Sequence, residues 1–308
     1  MAAGLHISIS AETIAHIGGI QISNSMLSSV IVTAFLLVFA LYFKATYKPS
    51  NKPTGIHNFV EMVIEALYGL VQSVALTEKK TVLFFPYIAT FFIFICLNNW
   101  FGLLPGVGTI GFYEEAPTAL ETAQAPSMIS QAKAVTEETN EHETTIEKIN
   151  EKETKFEQSS ESEANEKHSS EEKIFVPYLR AGTADLNTTL ALAIVSQLVA
   201  QFFGFYYVGF GYLKKFFNFS NPIMTFVGFL ELMGEFTKVI SYAFRLFGNI
   251  FAGEVLLVVI TYLTKVVVPM PFYGLELFVG MIQALVFAML SLVFFNTATI
   301  AHEEHSTH

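Results

Sequence analysis

Residues 228–254 form one apolar stretch of helical period that nevertheless carries Glu231, Glu235, Lys238, Arg245, Asn249 and Glu254. An ionised side chain near the centre of a bilayer costs about 2.5–3.5 kcal/mol on insertion scales, so such groups mark routes for ions or protons. At 3.6 residues per turn, Glu231, Glu235, Lys238, Tyr242, Arg245 and Asn249 fall within roughly 80° of one another. Gly228, Gly234 and Gly253 lie on or beside that stripe, where small residues let another helix approach. The stripe is expected to be polar, narrow and sterically open, with Glu254 pointing off it. Arg245 is its centrepiece, a fixed positive charge. Glu231 and Glu235 sit three to four turns away, too far to pair with it on one straight helix, so its partner carboxylate is expected on another chain.

A second pair follows. Glu276 and Gln283 are two turns apart and share a face of the last apolar run. A carboxylate at 276 can simply be solvated at the outer membrane boundary. Set beside Glu254 across a helical hairpin, it makes a proton relay, because neighbouring carboxylates suit reversible protonation.

The elements that position these groups read as an all-α polytopic membrane protein. Apolar residues make up 52% of the chain, with 31 Phe and one Cys, Cys96, so no disulfide framework exists. About five runs are long enough to cross a hydrocarbon core: Met26–Phe43, Val82–Leu104, Asn187–Tyr212, Ile223–Leu263 and Tyr273–Ala301. The first has no basic residue ahead of it and no small-residue cleavage site behind it, so it reads as a span rather than a cleaved signal. Ile56–Leu76 is amphipathic, with Glu61 and Glu65 on one face, and reads as an interfacial helix. Asn98 and Asn99 read as helix–helix hydrogen-bonding groups. Lys44, Lys48, Lys52, Lys79, Lys80, Lys214 and Lys215 share one side if the spans alternate, and the positive-inside rule makes that side cytoplasmic. The N-terminus then lies outside and the tail 302–308 inside.

Glu114–Lys173 is a different material. It holds 16 Glu and 6 Lys, a surplus that equals the net charge of −10, and the membrane body is neutral. Nearly free of large apolar side chains, it is expected to be disordered in solvent. Its charge is no ground for a nucleic-acid partner. The chain thus divides into an extramembrane segment 1–25, the first two spans with the interfacial helix at 26–113, an acidic extracytoplasmic insertion at 114–175, a channel domain at 176–301 and the tail. Neither a metal site nor a cofactor is expected, and no GxxxxGK[ST] phosphate loop is present.

FTKVISYAFRLFGNIFAGE resembles the signature of subunit a of F-type ATP synthases. ADLNTTLALA at Ala184–Ala193, LNNWFGLLP at Leu97–Pro105 and IQALVF at Ile282–Phe287 resemble other spans of that family. The resemblance implies a non-catalytic stator subunit, with two long tilted C-terminal helices hairpinned against a rotor ring, in the inner membrane of a bacterial cell. It implies as partners the ring of c subunits, the peripheral-stalk subunit b, the other synthase subunits and membrane lipid. Arg245 then matches the rotor-facing arginine. Glu231, Asn249, Glu254 and Gln283 match polar positions of two proton half-channels, and Glu276 matches a position that is His in some members. Lys238 and Asp185 match further polar positions. The acidic insertion has no counterpart in the family pattern. The main rival is a stand-alone transporter or ion channel, which would show inverted repeats or a broken-helix site; the sequence shows neither. The second rival, a membrane anchor or assembly protein, leaves Arg245 unexplained.

Overall fold

The computed structural model describes residues 11–17, 20–46, 55–75, 77–108, 110–115, 173–212, 216, 222–264 and 268–300. The disorder expected of Glu114–Lys173 falls outside these residues over 116–172, whereas Glu114, Glu115 and Lys173 stand in strands; the tail 302–308 and Lys48, Lys52, Lys214 and Lys215 also lie outside.

Six α-helices stand among the described residues: α1 Asn24–Thr46, α2 Ile56–Ala75, α3 Glu78–Gly102, α4 Leu186–Val208, α5 Pro222–Thr264 and α6 Pro269–Ile300. All but α2 are long and apolar enough to cross a membrane, which makes the chain a multi-pass membrane protein. α2 instead buries Leu67, Val71 and Ala75 against the bundle while Ile56, Phe59 and Met62 stay exposed. At 1.5 Å per residue the 43 residues of α5 extend about 65 Å, twice a hydrocarbon core, so α5 cannot stand upright in it.

Short strands lie outside the helices. β1 Thr13–Ile17 pairs antiparallel with β2 Ile20–Ser23. β3 spans Pro105–Gly108, and β4 Gly111–Glu115 pairs with β5 Lys173–Pro177. Two compact units result. One holds most of β4 and β5; the other holds every helix. Within the helical unit, Gly108 N–H donates to Leu179 O at 3.1 Å and Tyr178 N–H to Ile110 O at 2.9 Å.

Lipid is as apolar as Leu, so helices associate here through close packing and hydrogen bonds. α4 presents Ala193, Ser196 and Ala200 and α6 presents Ala284, Ala288 and Ser291, all buried, and the two serine hydroxyls meet at 2.8 Å. Below this seam Phe84, Phe203, Phe295, Phe287 and Phe91 interlock α3, α4 and α6. Asn99 Nδ2 donates to Gly280 O at 2.8 Å and Trp100 Nε1 to Leu277 O at 3.0 Å, tying α3 to α6. The hydrogen-bonding role expected of Asn98 and Asn99 is met, since Ser29 Oγ also donates to Asn98 Oδ1 at 3.4 Å. Spans successive in the chain run antiparallel, so α4 and α6 lie parallel along their seam. The N-terminus of α1, the C-terminus of α3 and the approach to α4 cluster at one end; at the other, Lys80 Nζ lies 5.7 Å from the Tyr207 ring of α4.

Candidate functional site

Two cavities whose walls include charged and polar side chains lie along α5, at either side of Arg245 in sequence. The larger, of about 420 Å³, is lined by Asn99, Arg180, Glu254, Thr261, Tyr273 and Glu276 among others. The smaller, of about 230 Å³, is lined by Gln197, Gln201, Tyr212, Glu235 and Lys238 against Phe294 and Thr297. Helix rise places Glu235 about 15 Å before Arg245 and Glu254 about 14 Å after it.

In the larger cavity Glu254 is held by a residue that periodicity does not reveal. Arg180 Nε lies 3.0 Å from Glu254 Oε1 and 3.1 Å from Oε2, and the second guanidinium nitrogen lies 3.1 Å from Oε2. The Arg180 side chain is 8% exposed and that of Glu254 35%. The irregular segment that carries Arg180 is fixed by polar contacts at the end of the bundle. Arg180 N–H donates to Ser28 Oγ at 3.2 Å, and Asn24 Nδ2 donates to Pro177 O at 3.3 Å. Thr183 Oγ1 bonds Asn99 Oδ1. Gly182 leaves no room for a side chain, because a Cβ there would lie 2.2 Å from Ser29 Oγ.

Glu276 enters the same cavity from α6 and lies over Gly253. A Cβ at 253 would stand 2.1 Å from both Glu276 carboxylate oxygens. Glu254 and Glu276 thus line one cavity across the α5–α6 hairpin, and Gly253 makes room for the Glu276 carboxylate. Gly253→Ala is expected to displace the Glu276 carboxylate and cut ATP-driven proton pumping roughly tenfold. Complex yield should stay near wild type, because the clash falls on the movable end of a side chain; wild-type pumping would show that the placement of Glu276 does not matter.

Between this cavity and Arg245, Asn249 Nδ2 donates to Gln283 Oε1 at 2.6 Å, with Gln283 buried and Asn249 exposed. Arg245 itself is exposed and has no ion-pair partner among the described residues. On its flank Gly234, Ser241 and Gly248 recur every seven residues, Gly234 half-buried and the other two exposed, with Ala252 seven beyond Arg245. A Cβ at Gly234 or Gly248 would meet nothing within 4 Å. A sequence model of the ATP synthase A chain matches residues 26–296. The chain belongs to the ATP synthase A chain family. It is thus a proton-translocating subunit of the Fo sector of an ATP synthase, working beside other subunits of that complex.

The polar stripe expected of an ATP synthase A chain is present but only partly open. Tyr242 is 4% exposed, its hydroxyl bonded to Ser291 Oγ and Phe287 O of α6, and Glu235 is covered by α4. The open part is the flank that runs through Arg245, Gly248 and Asn249. Lys238 pairs with Glu235 at 2.8 Å and lines the smaller cavity. Glu231 is half-buried one turn earlier and lines neither cavity. Asp185 also stands apart: it caps α4, accepting from Asn187 N–H at 3.3 Å, and takes a 2.9 Å bond from Ser25 Oγ of α1. Arg180, Asn99, Gln197, Gln201 and Tyr212 line the cavities without having been singled out as site residues from sequence. The only available signal for the glutamines was their spacing of one turn on an otherwise apolar α4.

Proposed function

We propose that this subunit supplies two half-channels through which protons reach and leave carboxylates on a rotor ring of c subunits, coupling proton flow to ATP synthesis. The reading is carried by one arrangement, two cavities that each hold carboxylate side chains, set before and after an exposed arginine that has no carboxylate partner among the described residues. A proton enters from outside through the cavity of Glu254 and Glu276 and passes the Asn249–Gln283 pair to a ring carboxylate. Neutralised, that carboxylate can travel through lipid without the cost of an exposed charge. After nearly a full turn it loses its proton on the cytoplasmic side, in the region of Glu231 and Lys238. Arg245 keeps the two routes apart, because its positive field favours an ionised ring carboxylate beside it. Each proton that falls through 100 mV releases about 2.3 kcal/mol, so several are needed per ATP.

Asp185 serves this reading as a structural anchor for α4 rather than as a proton carrier. The peripheral-stalk subunit b, a bacterial inner membrane, and an outside N-terminus with a cytoplasmic C-terminus complete the proposal. Lys44, Lys79 and Lys80 at one end of the alternating spans support that orientation.

The ring-facing surface is tested by cysteine cross-linking in the assembled complex. Cysteines at Ser241 and Gly248, on the flank of Arg245, should form disulfides with cysteines flanking the carboxylate of the c-subunit helix. A cysteine at Ile240, exposed about 100° away, should not. Equal cross-linking from all three positions would remove the assignment of this flank to the ring.

A further inference from the structure

The smaller cavity contains a carboxylate placed with more care than the stripe requires. Glu235 is 12% exposed and is reached by three donors. Gln197 Nε2 and Gln201 Nε2 of α4 both approach Oε2, the latter at 3.3 Å, and Lys238 Nζ lies 2.8 Å from Oε1. Lys238 in turn sits with its Nζ 5.6 Å from the Phe294 ring of α6, so groups from three helices fix one carboxylate. The cavity, at about 230 Å³, has room for several waters at roughly 30 Å³ each, beside polar groups that can bond them. Glu231, one turn nearer the N-terminus of α5, lines no part of it.

Tyr212 closes the cavity on the side of the α4–α5 connection. α4 ends at Gly209, whose φ of 66° favours glycine, and the following short helical turn Gly209–Tyr212 folds the Tyr212 ring onto Gly204.

We infer that Glu235, aimed by Gln197, Gln201 and Lys238, is the proton acceptor of the half-channel on this side of Arg245, with Glu231 lying after it on the way to water. The inference rests on the half-channel reading above. In the step, a ring carboxylic acid gives its O–H proton to cavity water, which passes one proton to a Glu235 oxygen; the ring group is left as carboxylate. Glu235 then returns the proton to water on the Glu231 side and is restored as carboxylate. No other bond changes.

The test uses the whole complex in inverted vesicles, with ATP-driven acidification measured beside complex yield. Glu235→Gln should lower pumping at least tenfold in assembled complex, Glu235→Asp should keep a substantial part of it, and Glu231→Gln should cost less than Glu235→Gln. Arg245→Ala is the control on the underlying reading. If Arg245→Ala abolishes pumping while Glu235→Gln stays within twofold of wild type, or if Glu231→Gln costs more, the inference is overturned and the half-channels stand. If Arg245→Ala pumps normally, the half-channel reading itself falls. Should Glu235→Gln fail to assemble, Ala298→Cys decides the matter. Ala298 is 7% exposed and lines the cavity, so a charged thiol reagent reaches it only through water there. Labelling above the Cys96 background supports the inference; an unlabelled Ala298→Cys overturns it.

Discussion

Arg245→Ala is expected to lower ATP-driven acidification of inverted vesicles at least about 100-fold while the complex assembles at its usual yield. The two halves of that result have separate causes. Assembly is spared because Arg245 is exposed on α5 and makes no ion pair among the described residues, so its loss strands no buried carboxylate. Pumping is lost because the charge between the cavities is what favours an ionised ring carboxylate at that point. Without it a protonated ring site can slip directly from one cavity to the other, so passive proton leak should rise as coupled transport falls. Arg245→Lys should recover only part of the activity, because an ammonium lacks the planar fork and is more strongly hydrated. Wild-type pumping by Arg245→Ala would make this arginine structural and dissolve the assignment of both cavities.

The second large effect is expected at Arg180. Arg180→Gln leaves Glu254 without the guanidinium that engages both of its oxygens. Removing one member of a fully buried pair costs about 3–5 kcal/mol. Glu254 is 35% exposed, so the loss here should fall at or below the lower end of that range. Glu254→Gln should be the more damaging to assembly, because it takes a carboxylate charge from beside Arg180, whose side chain is only 8% exposed. The double variant Arg180→Gln/Glu254→Gln should then assemble better than Glu254→Gln alone, yet pump about 10–100-fold below wild type. Complex yield and acidification rate, measured over the four combinations, separate the two roles of the pair. If the double variant assembles no better than the worse single one, the two side chains are not coupled and the contact is incidental.

What sequence could show here depended on whether a feature was governed by period. The spans and the α5 stripe were legible because helix geometry fixes which residues share a face, and Arg245, Asn249 and Gln283 stand where that geometry puts them relative to one another. Arg180 was not legible. It lies in an irregular segment 74 residues from its partner, and no periodicity relates the two. Glu235 was placed on the stripe, but its two glutamine neighbours depend on how α4 packs beside α5, which the Ala193–Ala200 and Ala284–Ala288 seam decides. For the same reason the stripe looked more open from sequence than it is, since the cover over Tyr242 comes from α6. The capping role of Asp185 was not legible either, because a buried carboxylate that caps a helix and one that carries protons have the same appearance in a sequence. The β1 and β2 pairing was also missed, although alternating residues on either side of Gly18–Gly19 are a hairpin signal at that spacing.

Two backbone bonds, Gly108 to Leu179 and Tyr178 to Ile110, clasp the chain within the helical unit on either side of residues 111–177. The entropy of bringing those two ends together is met at this clasp, and doubling the length between them adds only about 0.6 kcal/mol. Lengthening or shortening the stretch should therefore leave Arg180, the residue after the clasp, in register with Glu254. In engineering terms the clasp is a graft point. A folded reporter or an affinity tag spliced between the two strands would hang from the subunit without pulling on the carboxylates in its larger cavity.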